Sequence, residues 1–251
     1  MIESGMQQQA VGLVCAALGV GLVFQNLGLN GRPIKGNNFG TVRNILNPMK
    51  KSYNGSYWST SAPIARKSWQ TGNLPDPIRD GKNSLVSILS ELQIEYSSAH
   101  KATDIQISQL LWAARGRTPH YYKSKPWGLT IPFWTDKFDV SSVYLFSKQQ
   151  CHKYINWNSD RPTHSIQKLK DIDKQFDIGM VEFFPNYGNI IILGRNDDNA
   201  RAFWEIGYQM LNIMVQAYAL QVSYHAELLD EAQKSTLRSI GIEEPVALLT
   251  V

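Results

Sequence analysis

The sequence is poor in the residues that build disulfide frameworks and metal sites. It has two cysteines, Cys15 and Cys151, which lie far apart and form no Cys-x-x-Cys pair. Its five histidines stand singly, without a His-x-x-x-His pair. A disulfide scaffold and a zinc site of the usual spacing are therefore unsupported. The low cysteine content predicts a reducing compartment, and hence a cytoplasmic protein.

Long apolar runs and charge of one sign are also scarce. An uncharged run spans residues 10–24, but it is shorter than the roughly 20 residues that cross a bilayer. The segment before it has Glu3 and no basic residue, unlike a secretory leader. The net charge of +4 comes without a Lys/Arg block, so neither a membrane nor a nucleic-acid partner is predicted.

The composition is that of a globular protein. A hydrophobic fraction of 43% over 251 residues is enough to bury a core. We divide the chain into 1–82, an N-terminal helix with an extended aromatic-rich segment, and 83–251, a domain of regular structure. No G-x-G-x-x-G follows a strand-like run, so a Rossmann dinucleotide fold is not expected.

The apolar periodicity predicts an N-terminal helix over 3–19 and a series of elements in the second part. Asn83 and Asp104 are the expected N-caps, since both side chains can accept from free backbone N–H groups. The apolar run 189–193 lies between two glycines and is typical of a central strand. The predicted helices span 83–92, 104–116, 163–176, 199–220 and 230–240, and the predicted strands span 129–134, 140–146, 189–193 and 245–251.

A partial internal repeat relates the two longest apolar helices. Residues 3–22 can be placed on residues 205–224, at an offset of 202, with six identities. We interpret the N-terminal helix as the tail end of one repeat unit, as in a fragment of a tandem protein. A chance match between two buried helices is the alternative. The identical pairs are Glu3 and Glu205, Gly5 and Gly207, Gln7 and Gln209, Ala17 and Ala219, Leu18 and Leu220, and Val20 and Val222.

Three segments in order resemble the flavin-dependent nitroreductase superfamily. The helix FWEIGYQMLNIMVQAYAL (203–220), with PVALLTV (245–251) further on, resembles the C-terminal half of these proteins. The segment ISQLLWAARGRT (107–118) resembles a helix of the branch that contains the SagB-type dehydrogenases. The run LTIP (129–132), followed by a strand ending in VYLF (143–146), is similar to that branch as well.

The resemblance implies an α+β fold with a mixed, mostly antiparallel sheet flanked by helices. It places the long central helix at the interface of a homodimer. It also implies an FMN-dependent oxidoreductase that transfers a hydride through flavin N5, to or from a small electrophilic or heterocyclic substrate. NAD(P)H is the electron donor to consider. In such proteins the chemistry belongs to the cofactor, and the protein binds and orients it.

The resemblance also implies a set of cofactor-binding positions. A basic loop would form a relocated phosphate clamp, although an ordinary exposed loop is the alternative. The aromatic position after Pro132 could stack on a flavin, or could serve core or interface packing. The expected cofactor-binding residues are Arg115, Arg117 and Lys123 in the clamp, Thr130, Pro132 and Phe133 beside the ring, Gln25, Asn26 and Gly28 as backbone contacts, and His225 and Glu227 near the ring edge.

A second function stays open because the phosphate motif of the family is missing. Residues 90–94, which align with its arginine-rich motif, contain no arginine, and Glu91 stands among them. A carboxylate at that position repels a phosphate group, whereas a guanidinium matches it. The alternative is a flavin-free protein of the same fold that acts as a binding or structural subunit.

Overall fold

A computed structural model of the protein describes the greater part of the chain. The described residues are 1–17, 26–27, 33–34, 74–75, 77, 85–99, 101–118, 128–131, 140–147, 149–158, 161–172 and 188–251. Within them, five helices and eleven strands are defined. The helices are α1 (Ile2–Ala17), α2 (Leu85–Glu91), α3 (Asp104–Arg115), α4 (Ala200–Ala219) and α5 (Glu231–Ser239). None of the described helices is long and apolar enough to cross a membrane.

A seven-stranded sheet organises the described domain. Its order is β3-β10-β11-β9-β6-β7-β8, and each of these pairings is antiparallel. Two short pairs, β1 with β2 and β4 with β5, stand apart from it. The strands are β1 (Asn26–Leu27), β2 (Pro33–Ile34), β3 (Glu95–Tyr96), β4 (Arg117–Thr118), β5 (Gly128–Leu129), β6 (Ser141–Ser147), β7 (Gln150–Asn158), β8 (Arg161–Asp171), β9 (Asn189–Arg195), β10 (Tyr224–Leu228) and β11 (Pro245–Thr250).

The central strands β6, β9 and β11 are buried on both faces because helices cover both sides of the sheet. Side chains alternate between the faces of a strand. Val143 and Leu145 therefore belong to the core shared with α3 and α4. Tyr144 and Phe146 belong to a second core that includes Leu237 of α5. The predicted central strand over 189–193 is confirmed, since β9 is the fourth of the seven strands.

The long helix α4 forms the centre of the first core. It begins after Asn199, whose side chain accepts hydrogen bonds from Arg201 N–H (3.0 Å) and Ala202 N–H (3.1 Å). Eleven of its residues are buried, and both α1 and α3 pack along it. The prediction of a buried helix over 199–220 is therefore confirmed. In the described structure α1 supplies part of that burial.

Two sequence-based predictions of secondary structure were wrong. Residues 163–171 of the helix predicted over 163–176 belong instead to strand β8, which pairs with β7 (Gln150–Asn158), a strand that the sequence reasoning missed. The rest of that predicted helix, 173–176, lies outside the described residues. His164 and Ile166 are buried while their neighbours are less so, which is the period of two of a half-buried strand. The N-cap of α3 is Thr103, not Asp104, because Thr103 Oγ1 accepts from Gln106 N–H in a capping box.

Candidate functional site

Three of the predicted cofactor-binding residues come together where α3 ends. Arg115 is its last residue, and β4 follows directly, with Arg117 paired to Leu129 of β5. The next residue, Thr130, donates its backbone N–H to Gly116 O (2.9 Å) and its hydroxyl to Trp112 O (3.2 Å). The structure therefore gathers Arg115, Arg117 and Thr130 at one junction, which we call the α3 junction.

The Arg115 side chain lies in a buried polar cluster formed by residues of α3, β6 and α4. Its Nη1 is 2.6 Å from Glu205 Oε2 and 2.7 Å from Ser141 Oγ. Ser141 Oγ donates to Glu205 Oε2 at 2.9 Å, and Gln209 Nε2 donates to the same hydroxyl at 2.9 Å. All four residues are buried. A buried charge needs such a partner, so this ion pair joins α3 to α4 and β6.

A second set of hydrogen bonds ties the α3 junction to both long helices. Asn212 Nδ2 on α4 donates to Ala113 O and to Thr130 O, each at 3.1 Å. Its Oδ1 accepts from Gln9 Nε2 on α1 at 2.8 Å. Asn212 of α4 thus fixes the backbone at Thr130, and Gln9 of α1 fixes the Asn212 side chain.

His225 and Glu227 form a separate group on β10. His225 Nδ1 is 3.7 Å from Glu95 Oε2, and its Nε2 is 3.7 Å from Glu227 Oε2. The group arises from the sheet, because His225 pairs with Glu95 of β3 and Glu227 lies two residues further along the same strand face. Gln233 of α5 donates to Glu227 at 3.3 Å. Two carboxylates beside one imidazole make this place unfavourable for an anion.

A buried row of Ser108, His164 and Tyr154 resembles a catalytic triad in its spacing. The directions of its hydrogen bonds indicate a structural role instead. Tyr154 Oη is 2.7 Å from His164 Nδ1, and His164 Nε2 is 2.9 Å from Ser108 Oγ. Burial raises the pKa of Tyr154, so the phenol keeps its proton and donates to Nδ1. The Ser108 hydroxyl donates to Pro75 O at 3.1 Å, so its proton points away from the imidazole. Burial lowers the pKa of His164 to about 3, which makes it a poor base.

Three solved structures are similar to the chain at low sequence identity. No protein-family model and no curated protein matches the chain. A solved structure from Ralstonia eutropha JMP134, described as a nitroreductase, is 15% identical with a TM-score of 0.48, over 71% of this chain and 87% of that one. One from Anabaena variabilis ATCC 29413, described likewise, is 13% identical with a TM-score of 0.47, over 76% of this chain and 44% of that one.

A third similar structure is a chain of the Escherichia coli microcin synthetase McbBCD complex with truncated pro-MccB17 bound. It is 10% identical with a TM-score of 0.43, over 97% of this chain and 92% of that one. The described residues form an α+β fold, a seven-stranded antiparallel sheet flanked by helices, as expected from the sequence. At these identities the likeness concerns the arrangement of sheet and helices and not the reaction.

The FMN that the sequence resemblance implies would need a cationic side chain for its phosphate. Arg115 does not fit that role, because its guanidinium is held by Glu205 and Ser141 inside the core. Arg117 is buried as well, with Cζ 4.8 Å from the centroid of the Trp157 ring. Glu91, in the position of the family's arginine motif, accepts a hydrogen bond from Tyr218 Oη at 2.5 Å. The described residues therefore show no phosphate clamp at Arg115.

One of the six remaining predicted site residues lies in a described strand. Asn26 is described by its backbone alone, in β1, where it pairs with Ile34. The remaining five stay predictions. The residues that lie outside the described part of the chain are Gln25, Gly28, Lys123, Pro132 and Phe133.

Sequence reasoning missed the polar residues of α4 that build the α3 junction. Glu205, Gln209 and Asn212 lie on a helix that was interpreted as core, and all three point to buried or half-buried partners. A signal was available, since a carboxylate among apolar helix positions requires a cation or a hydrogen-bond donor nearby. The candidate cation, Arg115, ends the helix that resembles the same family.

Proposed function

We propose that the chain is an FMN-dependent oxidoreductase that acts on a small electrophilic or heterocyclic substrate, with NAD(P)H as the candidate electron donor. One observation supports this most. Two of the three segments that carry the sequence resemblance, 107–118 and 203–220, cover most of α3 and α4, and these helices pack together and share the Arg115–Glu205 ion pair. The resemblance therefore concerns two parts that form one structural unit.

The proposal gives the protein's residues the task of binding and orienting the flavin. The α3 junction fixes the backbone at Thr130 through Gly116 and Asn212, and such a rigid backbone is suited to holding a planar ring. The phosphate would be bound by Lys123 and by Arg117, since Arg115 is engaged by Glu205. The guanidinium of Arg117, which is buried against the Trp157 ring, would have to turn toward the phosphate on binding. A charge-assisted hydrogen bond to such a phosphate contributes about 1.5–3 kcal/mol.

The first test is the visible absorption spectrum of the purified protein, before and after addition of FMN and desalting. Retention of stoichiometric flavin supports the proposal, and a protein that stays colourless contradicts it. FMN affinity is then measured for Arg117→Ala and Lys123→Ala, with exposed Lys170→Ala as the matched control. We expect each clamp variant to weaken binding about tenfold or more and the control to bind normally. Unchanged affinity in both clamp variants would remove the clamp.

A second function is favoured by two specific contacts. Arg115 is engaged by Glu205, and the position of the arginine-rich motif holds Glu91, which accepts a hydrogen bond from Tyr218. Neither position therefore provides a cation for a phosphate. We propose as the alternative a flavin-free protein of nitroreductase-like fold that acts as a binding or structural subunit. A properly folded protein that fails to retain FMN is the result that this alternative predicts.

A further inference from the structure

One side-chain donor at the α3 junction has no acceptor. Within the described part of the chain, Nε1 of Trp112 is buried from solvent and makes no hydrogen bond. The backbone carbonyl of the same residue is engaged, since it accepts from Gly116 N–H (2.6 Å) and from the Thr130 hydroxyl (3.2 Å). A buried donor without an acceptor costs free energy comparable to a lost hydrogen bond, so the indole N–H requires an explanation.

Gly116 determines where the indole lies. A Cβ atom added to Gly116 would lie less than 3.0 Å from Cδ1, Nε1 and Cγ of the Trp112 ring. The backbone at Gly116 has φ −64° and ψ 159°, a conformation that residues with a Cβ atom adopt without strain. Glycine is therefore needed for the space that the ring takes, and the N–H edge of the ring lies directly over the Gly116 backbone.

The backbone beneath this edge is held firmly. Gly116 O accepts from the Thr130 N–H at 2.9 Å, and Thr130 O accepts from Asn212 Nδ2 at 3.1 Å. The Trp112 side chain is half-buried, so its ring lies at the boundary between this backbone and solvent. Because the N–H has no hydrogen bond to break, it can be turned toward the acceptor atom of a ligand without losing one.

A buried water molecule is a weaker explanation of the same donor. Such a water needs two to four polar partners. The nearest described polar groups, on Gly116 and Thr130, already bond to each other and to Trp112 O. They leave little capacity for a water, whereas a ligand needs to offer the indole only one acceptor atom.

We propose that Trp112 is a ring-binding residue of the flavin site, and that its indole N–H donates a hydrogen bond to an acceptor atom at the edge of the isoalloxazine ring. That edge carries carbonyl oxygens and ring nitrogens, which accept from an N–H group. The inference rests on the proposed function and adds a side-chain contact to the backbone at Thr130. It is separate from the phosphate clamp, because riboflavin has the same ring and no phosphate.

The direct test is the 1H–15N NMR spectrum of the seven tryptophan indole groups in the full chain. Trp112→Phe identifies the Trp112 signal, because that signal disappears. Saturating the unsubstituted protein with riboflavin should move the Trp112 indole proton downfield, as entry into a hydrogen bond does. A Trp112 signal that keeps its position while riboflavin is bound would overturn the proposal, and so would a protein that does not bind riboflavin.

Riboflavin affinity provides a second measurement. Trp112→Phe removes the N–H and keeps an aromatic ring, so it should weaken riboflavin binding about fivefold to tenfold, the value of one hydrogen bond. The matched control is Trp204→Phe, which alters another half-buried tryptophan, beside Gly5 of α1, and should bind riboflavin normally. Equal losses in the two variants, or no loss in Trp112→Phe, would contradict the role given to Trp112.

Gly116→Ala tests the position of the ring without removing the donor. The added Cβ atom displaces the indole, so riboflavin binding should weaken about as much as in Trp112→Phe. In a Trp112→Phe background the same substitution should cost little more, because the donor is already gone. Additive losses would show that Gly116 does not act through Trp112.

The outcomes separate this inference from the proposed function. A chain that retains FMN, with an unchanged Trp112 signal and normal riboflavin affinity in Trp112→Phe, refutes the role of Trp112 alone. A chain that binds neither riboflavin nor FMN refutes both. The NMR titration uses the unsubstituted protein, so it decides the question even if Gly116→Ala does not fold.

Discussion

The ion pair between Arg115 and Glu205 offers the sharpest test of how α3 and α4 are joined. We expect Glu205→Gln to destabilise the protein strongly, because the variant removes the carboxylate that pairs with a guanidinium buried in the core. The two side chains are 5% and 2% exposed, and their atoms are 2.6 Å apart. Removing one partner of such a buried pair costs about 3–5 kcal/mol. The cost is large because the remaining charge keeps its desolvation penalty.

The double variant Arg115→Met/Glu205→Met is the matched control. It removes both charges and fills the space with flexible apolar side chains, so no unpaired charge stays behind. We expect it to be more stable than either single variant, with a coupling free energy of about 2 kcal/mol or more in the double-mutant cycle. The Ser141 hydroxyl, which donates to Glu205, keeps Gln209 as a partner.

The free energies of unfolding are measured by urea titration, with circular dichroism and tryptophan fluorescence followed together. Coincident transitions by the two probes would justify two-state analysis. If both single variants lose less than about 1 kcal/mol in free energy of unfolding, the loss is that expected for a solvent-exposed ion pair. This result would refute the buried cluster. Were Arg115 a phosphate ligand instead, Arg115→Met would weaken FMN binding and leave the stability of the flavin-free protein nearly unchanged.

Three further predictions concern single side chains. Burial lowers the pKa of His164 to about 3 in the folded protein. Below about pH 6.5 this histidine is therefore protonated in the unfolded chain but stays neutral in the folded one. The free energy of unfolding should therefore fall as the pH drops from about 6.5 toward 3, by up to about 1.4 kcal/mol per pH unit, and urea titrations at several pH values should show a shallower slope in His164→Gln. Thr103→Ala should cost about 1 kcal/mol through loss of the α3 cap, and Asp104→Ala clearly less in the same assay; equal losses would contradict the assignment of the cap. Burial raises the pKa of the Cys151 thiol to about 12, so in a Cys15→Ala variant a thiol reagent should react only in denaturant, and rapid labelling of the native protein would count against its burial.

The sequence predicted the elements whose apolar pattern is long or bounded by clear signals. The helix over 199–220 and the strand over 189–193 belong to this group, since Asn199 provides a cap and glycines flank the strand. The sequence did not predict the β7–β8 hairpin. Residues 163–170 have too few apolar side chains to distinguish the period of two of a strand from the period of 3.6 of a helix. Its inward positions hold His164, a polar residue that only its partners Tyr154 and Ser108 explain.

The candidate site was harder to predict because its contacts are not local. Arg115 was expected to belong to an exposed basic loop, yet it meets Glu205, which lies 90 residues further along the chain. Spacing along the sequence carries no information about such a pair. The Thr130 backbone, by contrast, lies close to the end of α3, as the order of the motifs suggested. The arrangement of a mostly antiparallel sheet flanked by helices followed from the resemblance, whereas the side-chain network did not.

The position of β11 in the sheet determines when the protein can finish folding. The three central strands β6, β9 and β11 come from residues 141–147, 189–195 and 245–250, and β11 lies between β9 and β10. Until β11 has left the ribosome, β9 and β10 each present an unpaired edge, which is prone to pair with other chains. Contacts between such distant segments also slow folding. This domain therefore cannot close its core before β11 is made, and its yield in cells should depend on protection of those two edges.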